Sequence, residues 1–371
     1  MKLAIIFDDL SQHGGAENLL IALSSQYPDA PVYAAFATPY WMSYFKSQNI
    51  KLVTSFMQRL PFKDKLNKIY AALMLHTLAY ESFDLTDYDV VVSISARFAH
   101  GVITKPSTKH ICYMNTPGRM LWEGHGYFVS YQNYKWFKRL KPYLDIFLSR
   151  LRLWDYTAAH RVDYFVANSK TPQNRIHKYY NRNSIIVYPF VEAPPEGLKI
   201  RDNKYLLLIS RLEPWKRIEI AIKACNRLNV PLKIIGVGTH SEYLKSISGS
   251  TIEFLGRVTD PEKWEALANC SALIQTQYED FGIVPLEAQA VGKPVIAYGY
   301  GGSLETVRND HTGKYFGEQT IESVLLAIKN FEPRYYVPSA CKAHASKFSK
   351  REFLKNMNQV INRVYLETQA Y

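Results

Sequence analysis

The chain has 371 residues, 47% of them apolar and 14% aromatic, with a formal charge of +12. That length suits two domains of about 150 to 200 residues each, and the composition excludes a disordered or low-complexity chain. No apolar run approaches the ~20 residues of a membrane span, and Asp8 and Asp9 interrupt the amino-terminal apolar run too early for a signal peptide. No repeat of fixed period is present. Cys112, Cys225, Cys270 and Cys341 lie far apart without CxxC spacing and read as reduced thiols of a cytosolic protein.

In chain order, K-L-A-I-I-F (2–7) predicts a first strand, and H-G-G-A-E (13–17) opens a helix behind it. Gly14 and Gly15 either serve the turn alone or let backbone approach a diphosphate or acceptor. Their spacing is not G-x-G-x-x-G, which argues against a nicotinamide or flavin site. Asp87-Tyr88-Asp89 precedes the strand at 90–95 instead of ending one, so it reads as a turn and not as a metal motif. Further strands are predicted at 109–114 and 163–167. Charge is concentrated in this half, with 22 basic against 13 acidic residues over 1–190 (+9) and +3 in the remainder. Within 134–182, eleven Lys or Arg face only Asp145, Asp155 and Asp163 and are interleaved with eleven aromatics. After Pro142, the residues Tyr143, Leu144, Phe147, Leu148 and Leu151 recur at helical spacing, with Lys138, Arg139, Lys141, Arg150 and Arg152 available to the flanks. Two readings stay open: an anionic membrane or lipid-linked acceptor meets Arg119, Trp136, Lys138 and Arg139, or the stripe packs on its own core. Nucleic acid is not expected, because no helix-turn-helix, zinc-finger or RNA-binding signature accompanies the charge.

V-Y-P-F-V-E-A-P-P-E-G (187–197), between an apolar strand I-I-V and the next strand Y-L-L-L-I, reads as an interdomain linker. Strands follow at 205–210, 232–235, 252–255, 272–276 and 294–298, alternating with helices. Each half therefore predicts a doubly wound α/β sheet. In Y-E-D-F-G-I-V-P-L-E-A-Q-A-V-G-K-P, seven residues separate Glu279 from Glu287, behind a buried strand at 271–277. Pro285 suits the first turn of a helix and Gly292 its stop. Both carboxylates can then face the crevice at the carboxyl ends of the strands, where ligands of such sheets bind. Acids beside a phosphate site make sense if they accept hydrogen bonds from sugar hydroxyls while cations neutralise a diphosphate.

This run resembles the E-x7-E signature of retaining glycosyltransferases of family 4, which have the GT-B fold of two Rossmann-like domains facing across a cleft. I-S-R-L-E-P-W-K-R (209–217) resembles the diphosphate-binding segment, F-L-G-R-V (254–258) the one whose backbone holds the base, and A-Y-G-Y-G-G-S-L-E (297–305) the glycine-rich turn. C-Y-M-N-T-P-G-R-M-L-W-E, L-R-L-W-D-Y, V-A-N-S and V-Y-P-F-V are similar to bacterial mannosyltransferases of surface-polysaccharide assembly, whether O-antigen, capsule or exopolysaccharide. The resemblance implies an acceptor-binding domain at 1–190, a nucleotide-sugar-binding domain at 191–348, and a last helix at 349–371 that returns to the first. It implies that Glu279 orients the donor sugar and Glu287 binds the ribose. Arg211 and Lys216 hold the leaving diphosphate, and Phe281, Gly282, Ile283 and Val284 offer amides. Gly256 and Val258 meet the base, and Gly14 and Gly15 complete the donor site.

The clearest departure is Asn115, where relatives carry a histidine in N-T-P-G-R. His100 and Glu123 also replace a common Lys and Asp. Asn cannot exchange a proton at neutral pH, so either the mechanism never needs the imidazole or the chain keeps only binding. The expectation is an enzyme that moves a hexose, mannose from GDP-mannose first and a UDP-sugar second, to a growing lipid-linked glycan. It needs no metal or cofactor and works in the cytoplasm at the inner membrane face. A non-catalytic scaffold subunit and a nucleotide-sugar epimerase on the same fold are the alternatives. Linkage and oligomeric state are not legible.

Overall fold

A computed structural model describes residues 1–123 and 135–369, apart from the side chains of 64, 65, 68, 135–138, 140 and 368. The chain divides into two compact units, Met1–Tyr188 with Phe353–Tyr371, and Pro189–Glu352.

The first unit is built on a parallel sheet of β1 (Leu3–Phe7), β2 (Val32–Ala34), β3 (Leu52–Thr54), β4 (Val90–Ser95), β5 (Lys109–Met114), β6 (Tyr164–Ala167) and β7 (Ser184–Ile186). Their order is β3-β2-β1-β4-β5-β6-β7, so strand order reverses between β1 and β4. The second unit holds β8 (Leu206–Ile209), β9 (Leu232–Ile235), β10 (Ile252–Gly256), β11 (Ala272–Gln275), β12 (Val295–Tyr298) and β13 (Gly313–Phe316). They are ordered β10-β9-β8-β11-β12-β13, also parallel, with the reversal between β8 and β11.

Burial on both faces follows from the period of two along each strand. In the second unit Leu206, Leu208, Leu232, Ile234, Ala272, Ile274 and Ile296 join one core. Their neighbours Leu207, Ile235, Leu273, Val295 and Ala297 join the other. Helices cover both, among them Ile218–Leu228 on the first core and Asp260–Asn269 on the second. All four cysteines are buried and unpaired. The Lys350–Gln369 helix returns to the first unit, where Phe353 stacks edge-on to Tyr113 and Asn358 accepts from the Tyr27 hydroxyl at 2.8 Å.

Asp87 and Asp89 fall in the turn before β4, where Asp89 accepts from the Lys2 amide at 2.7 Å. The 25-residue helix Lys135–Ala159 buries Leu148 and Leu151 in the core, whereas Tyr143 is exposed, so the sequence stripe divides between two faces.

Asp155 of that helix is fully buried. It accepts from Trp122 Nε1 at 2.7 Å and from the Tyr180 hydroxyl at 2.8 Å, with His100 Nε2 at 3.2 Å. It thereby ties three segments of the first unit. Asp155→Ala strands the Trp122 and Tyr180 donors and removes the carboxylate beside His100, and a loss of about 2 to 5 kcal/mol is expected. Urea denaturation checks this, and a loss below about 1 kcal/mol would contradict the anchoring role.

Candidate functional site

In each sheet the reversal of strand order opens a crevice at the carboxyl ends, and the chemistry-bearing side chains collect there. In the second unit Arg211 and Lys216 follow β8, and Glu279 follows β11. Lys216 is buried at the end of a short 3₁₀ turn, and its Nζ forms an ion pair with Glu279 Oε1. The Lys216 carbonyl accepts from Thr276 Oγ1 at 3.0 Å, and the Thr276 carbonyl accepts from Gln319 Nε2 at 2.7 Å, so both loops are fixed. Arg211 is exposed and its side chain has no ion-pair partner among the described residues. One cation is thus held ready by a carboxylate and the other stands open.

Glu287 lies on the first turns of the Val284–Ala290 helix, whose first turn carries Pro285. Its carboxylate is buried and bonded to Lys263 Nζ at 2.9 Å, on the Asp260–Asn269 helix. Burial raises the Glu287 carboxyl above its ordinary range, and Lys263 opposes that shift. Lys263 is a site residue that sequence reasoning missed, since a lysine on another helix carries no spacing signal. Phe281 is buried, Gly282, Ile283 and Val284 are partly exposed, and the Gly282 and Ile283 amides reach no acceptor among the described residues. Gly256 ends β10 at an irregularity in its pairing, and Val258 packs against the second core.

Two glycine-dependent close approaches hold this crevice together. The Gly302 amide donates to the Glu279 carbonyl at 2.9 Å, and a Cβ on Gly302 would lie 2.2 Å from the Phe281 carbonyl oxygen. At Gly236 a Cβ would lie 1.8 Å from the Ser210 carbonyl oxygen, next to Arg211. The I-I-G-V-G run that ends β9 could have signalled the second approach, because glycine at a strand end marks close backbone contact.

In the first unit Asp8 follows β1, and its carboxylate accepts four backbone amides of the β4 loop. Ala96 and Arg97 reach one oxygen at 2.7 and 3.0 Å, and Phe98 and Ala99 reach the other, both at 2.8 Å. Asp9 pairs with Arg97. Gly14 and Gly15 start the Gly15–Gln26 helix, and a Cβ on Gly14 would lie 3.2 Å from Glu17 Oε2. Asn115 follows β5 and donates its amide to the Ser95 carbonyl at 2.8 Å. Next to it, Arg175 donates to Thr116 Oγ1 at 2.9 Å and grips Glu123 through two nitrogens, at 2.6 and 3.1 Å. Arg119 is partly exposed at the start of the Arg119–Trp122 helix, and Arg139 is exposed. Trp136 and Lys138 lie in the Lys135–Ala159 helix, with side chains outside the described residues. Asp8, Asp9, Arg97 and Arg175 were not foreseen as site residues. The acidic pair directly after the first strand was the available signal.

The matched family is the glycosyl transferases group 1, over residues 190–345. The second unit is a group 1 glycosyltransferase domain. The chain is 28% identical to the alpha-1,3/1,6-mannosyltransferase ALG2 of Saccharomyces cerevisiae over 41% of either chain. It is 28% identical to an uncharacterised glycosyltransferase of Methanocaldococcus jannaschii, over 53% of this chain and 59% of that one. It therefore spans about half the length of the curated relatives it matches. Among solved structures, Anabaena HepE in complex with UDP superposes with a TM-score of 0.68 at 19% identity, over 98% of this chain and 100% of that one. Sucrose-phosphate synthase of Thermosynechococcus elongatus gives 0.72 at 14%, over 99% and 100%. The fold is GT-B. Among the described residues, no group of three or more His, Cys, Asp or Glu could hold a metal ion.

Two outcomes are expected. Gly302→Ala should displace the Glu279 loop and lower stability by about 2 kcal/mol, while Gly317→Ala, with nothing near its Cβ, is neutral. Urea denaturation of both variants checks this, and equal stabilities would contradict it. The second concerns Glu17, whose carboxyl is pushed up from 4.5 to about 7, chiefly by burial. Its protonated form is favoured in the folded chain, so its contribution to stability is full below about 4.5 and is lost as pH rises through about 7. Relative to wild type, Glu17→Gln should gain on the order of 3 kcal/mol across that interval, read from denaturation midpoints, and a flat difference would contradict it.

Proposed function

We propose that the chain is a metal-independent, retaining hexosyltransferase that uses a nucleotide sugar, GDP-mannose first and a UDP-sugar second. Its acceptor is a growing glycan, linked to lipid and met at the inner face of the membrane. The observation that carries this reading is the set of Arg211, Lys216 and Glu279 at the strand-order reversal of a group 1 domain. It joins two cations suited to a diphosphate with a carboxylate suited to sugar hydroxyls. The alpha-mannosyltransferase relatives favour mannose, and the HepE complexes with UDP and with UDP-glucose support the nucleotide sugar.

In this scheme the bond between the sugar anomeric carbon and the diphosphate oxygen breaks, and the oxygen leaves with the electron pair. Arg211 and Lys216 carry the developing charge, Lys216 turning from Glu279 to phosphate. Glu279 then accepts from the sugar hydroxyls, and Glu287 accepts from the ribose diol. The amides of 281–284 and of Gly14 and Gly15 meet sugar and phosphate oxygens, and the backbone at Gly256 and Val258 holds the base. The acceptor hydroxyl attacks the same face and gives its proton to the departing phosphate oxygen. Asn115 needs only to hydrogen-bond the sugar, so an amide suffices where relatives have imidazole.

A thermal-shift panel of nucleotides and nucleotide sugars tests the reading. A guanosine or uridine species at about 100 times its Kd should add about 2.7 kcal/mol of stability. Arg211→Ala and Glu287→Ala should abolish that gain, and EDTA should leave it unchanged. With the donor so identified, Glu279→Gln is expected to lower kcat/KM by roughly 10²- to 10³-fold. Stabilisation by no nucleotide would overturn the transferase, and binding without turnover in any acceptor mixture would favour a scaffold subunit.

A further inference from the structure

The Lys135–Ala159 helix carries two lengthwise stripes, and one helix packed on one core needs a single stripe. Leu144, Leu148, Leu151 and Ala158 face the core of the first unit, together with the buried Asp155. On the opposite side Arg139, Tyr143, Ile146, Arg150 and Leu153 recur in alternating steps of four and three. Tyr143 is 65% exposed, Ile146 55% and Leu153 69%, and both arginines are exposed. Beside this line Lys141 is balanced by Asp145 at 2.6 Å, which leaves the two arginines of the stripe to set its charge. The Lys63–Ala72 helix packs against this helix and adds Ile69, 54% exposed, with Leu73 exposed just after it.

We propose that this outer stripe docks the first unit on an anionic phospholipid surface. Tyr143, Ile146 and Leu153 would enter the boundary between headgroup and acyl chain, and the guanidinium groups of Arg139 and Arg150 would meet lipid phosphates along their own stems. A second copy of the chain is the rival occupant. A two-fold pairing through this stripe would bury arginines of like charge in the seam, whereas phosphate neutralises them. No helix among the described residues is long and apolar enough to cross a membrane, so the contact is along the surface. The inference rests on the membrane-face part of the proposed function and names the residues that make that contact, and because vesicle binding requires no sugar chemistry the two can fail separately.

Co-sedimentation of the full chain with vesicles of phosphatidylcholine, with and without phosphatidylglycerol, tests it. The chain should partition onto the phosphatidylglycerol vesicles and be released by high salt. Ile146→Glu with Leu153→Glu should lower the partition coefficient at least about ten-fold. Arg150→Ala should lower it about five-fold, and both variants should keep the wild-type melting temperature and nucleotide response. Partition unchanged by these substitutions, absence of the chain from phosphatidylglycerol vesicles, or a dimer in sedimentation velocity that Ile146→Glu dissociates would overturn the proposal. Vesicle binding without nucleotide binding would sustain this surface and sink the transferase.

Discussion

The ion pair between Lys216 and Glu279 sits where the order of the second sheet reverses, and the surrounding architecture serves to hold it. A buried lysine needs a partner for its charge, and for Lys216 that partner is Glu279. Thr276 and Gln319 fix the backbone at Lys216, and Gly302 fixes the backbone at Glu279. Substitution by a residue with a side chain at Gly302 or Gly236 would press a Cβ against the backbone of Phe281 or Ser210. A pair preset in this way needs little reorganisation when charge develops nearby.

The first unit meets the same constraint with the opposite chemistry. Its reversal point is held by a carboxylate that accepts four backbone amides, and the salt bridge of Asp9 and Arg97 lies beside it. Asp155, Arg175 and Glu123 then fix the segment carrying Asn115 and Thr116.

Much of the fold was legible because parallel strands of four or more mostly apolar residues leave a clear mark. β1, β4, β5, β6 and β8 to β12 were all read from such runs. The three-residue β7 was read from its I-I-V run, whereas β2 and β3 were not, and β13 reads G-K-Y-F, which has neither a continuous apolar run nor strict alternation. The site divides in the same way. Arg211, Lys216, Glu279 and Glu287 stand in runs that a sequence displays, whereas the pairing of Lys263 with Glu287 and of Arg175 with Glu123 is created by packing between helices and loops. The helical stripe after Pro142 was legible as apolar, but which of its members face the core depends on the neighbouring helix. Leu148 and Leu151 point in and Tyr143 points out.

The most direct measurement is the anomeric configuration of the product. The purified chain would be incubated with GDP-mannose and a synthetic lipid-linked acceptor, and the new linkage read by proton NMR. The account predicts an α-mannoside, with the donor configuration kept. A β-linked product, formed by attack from the opposite face, would contradict it.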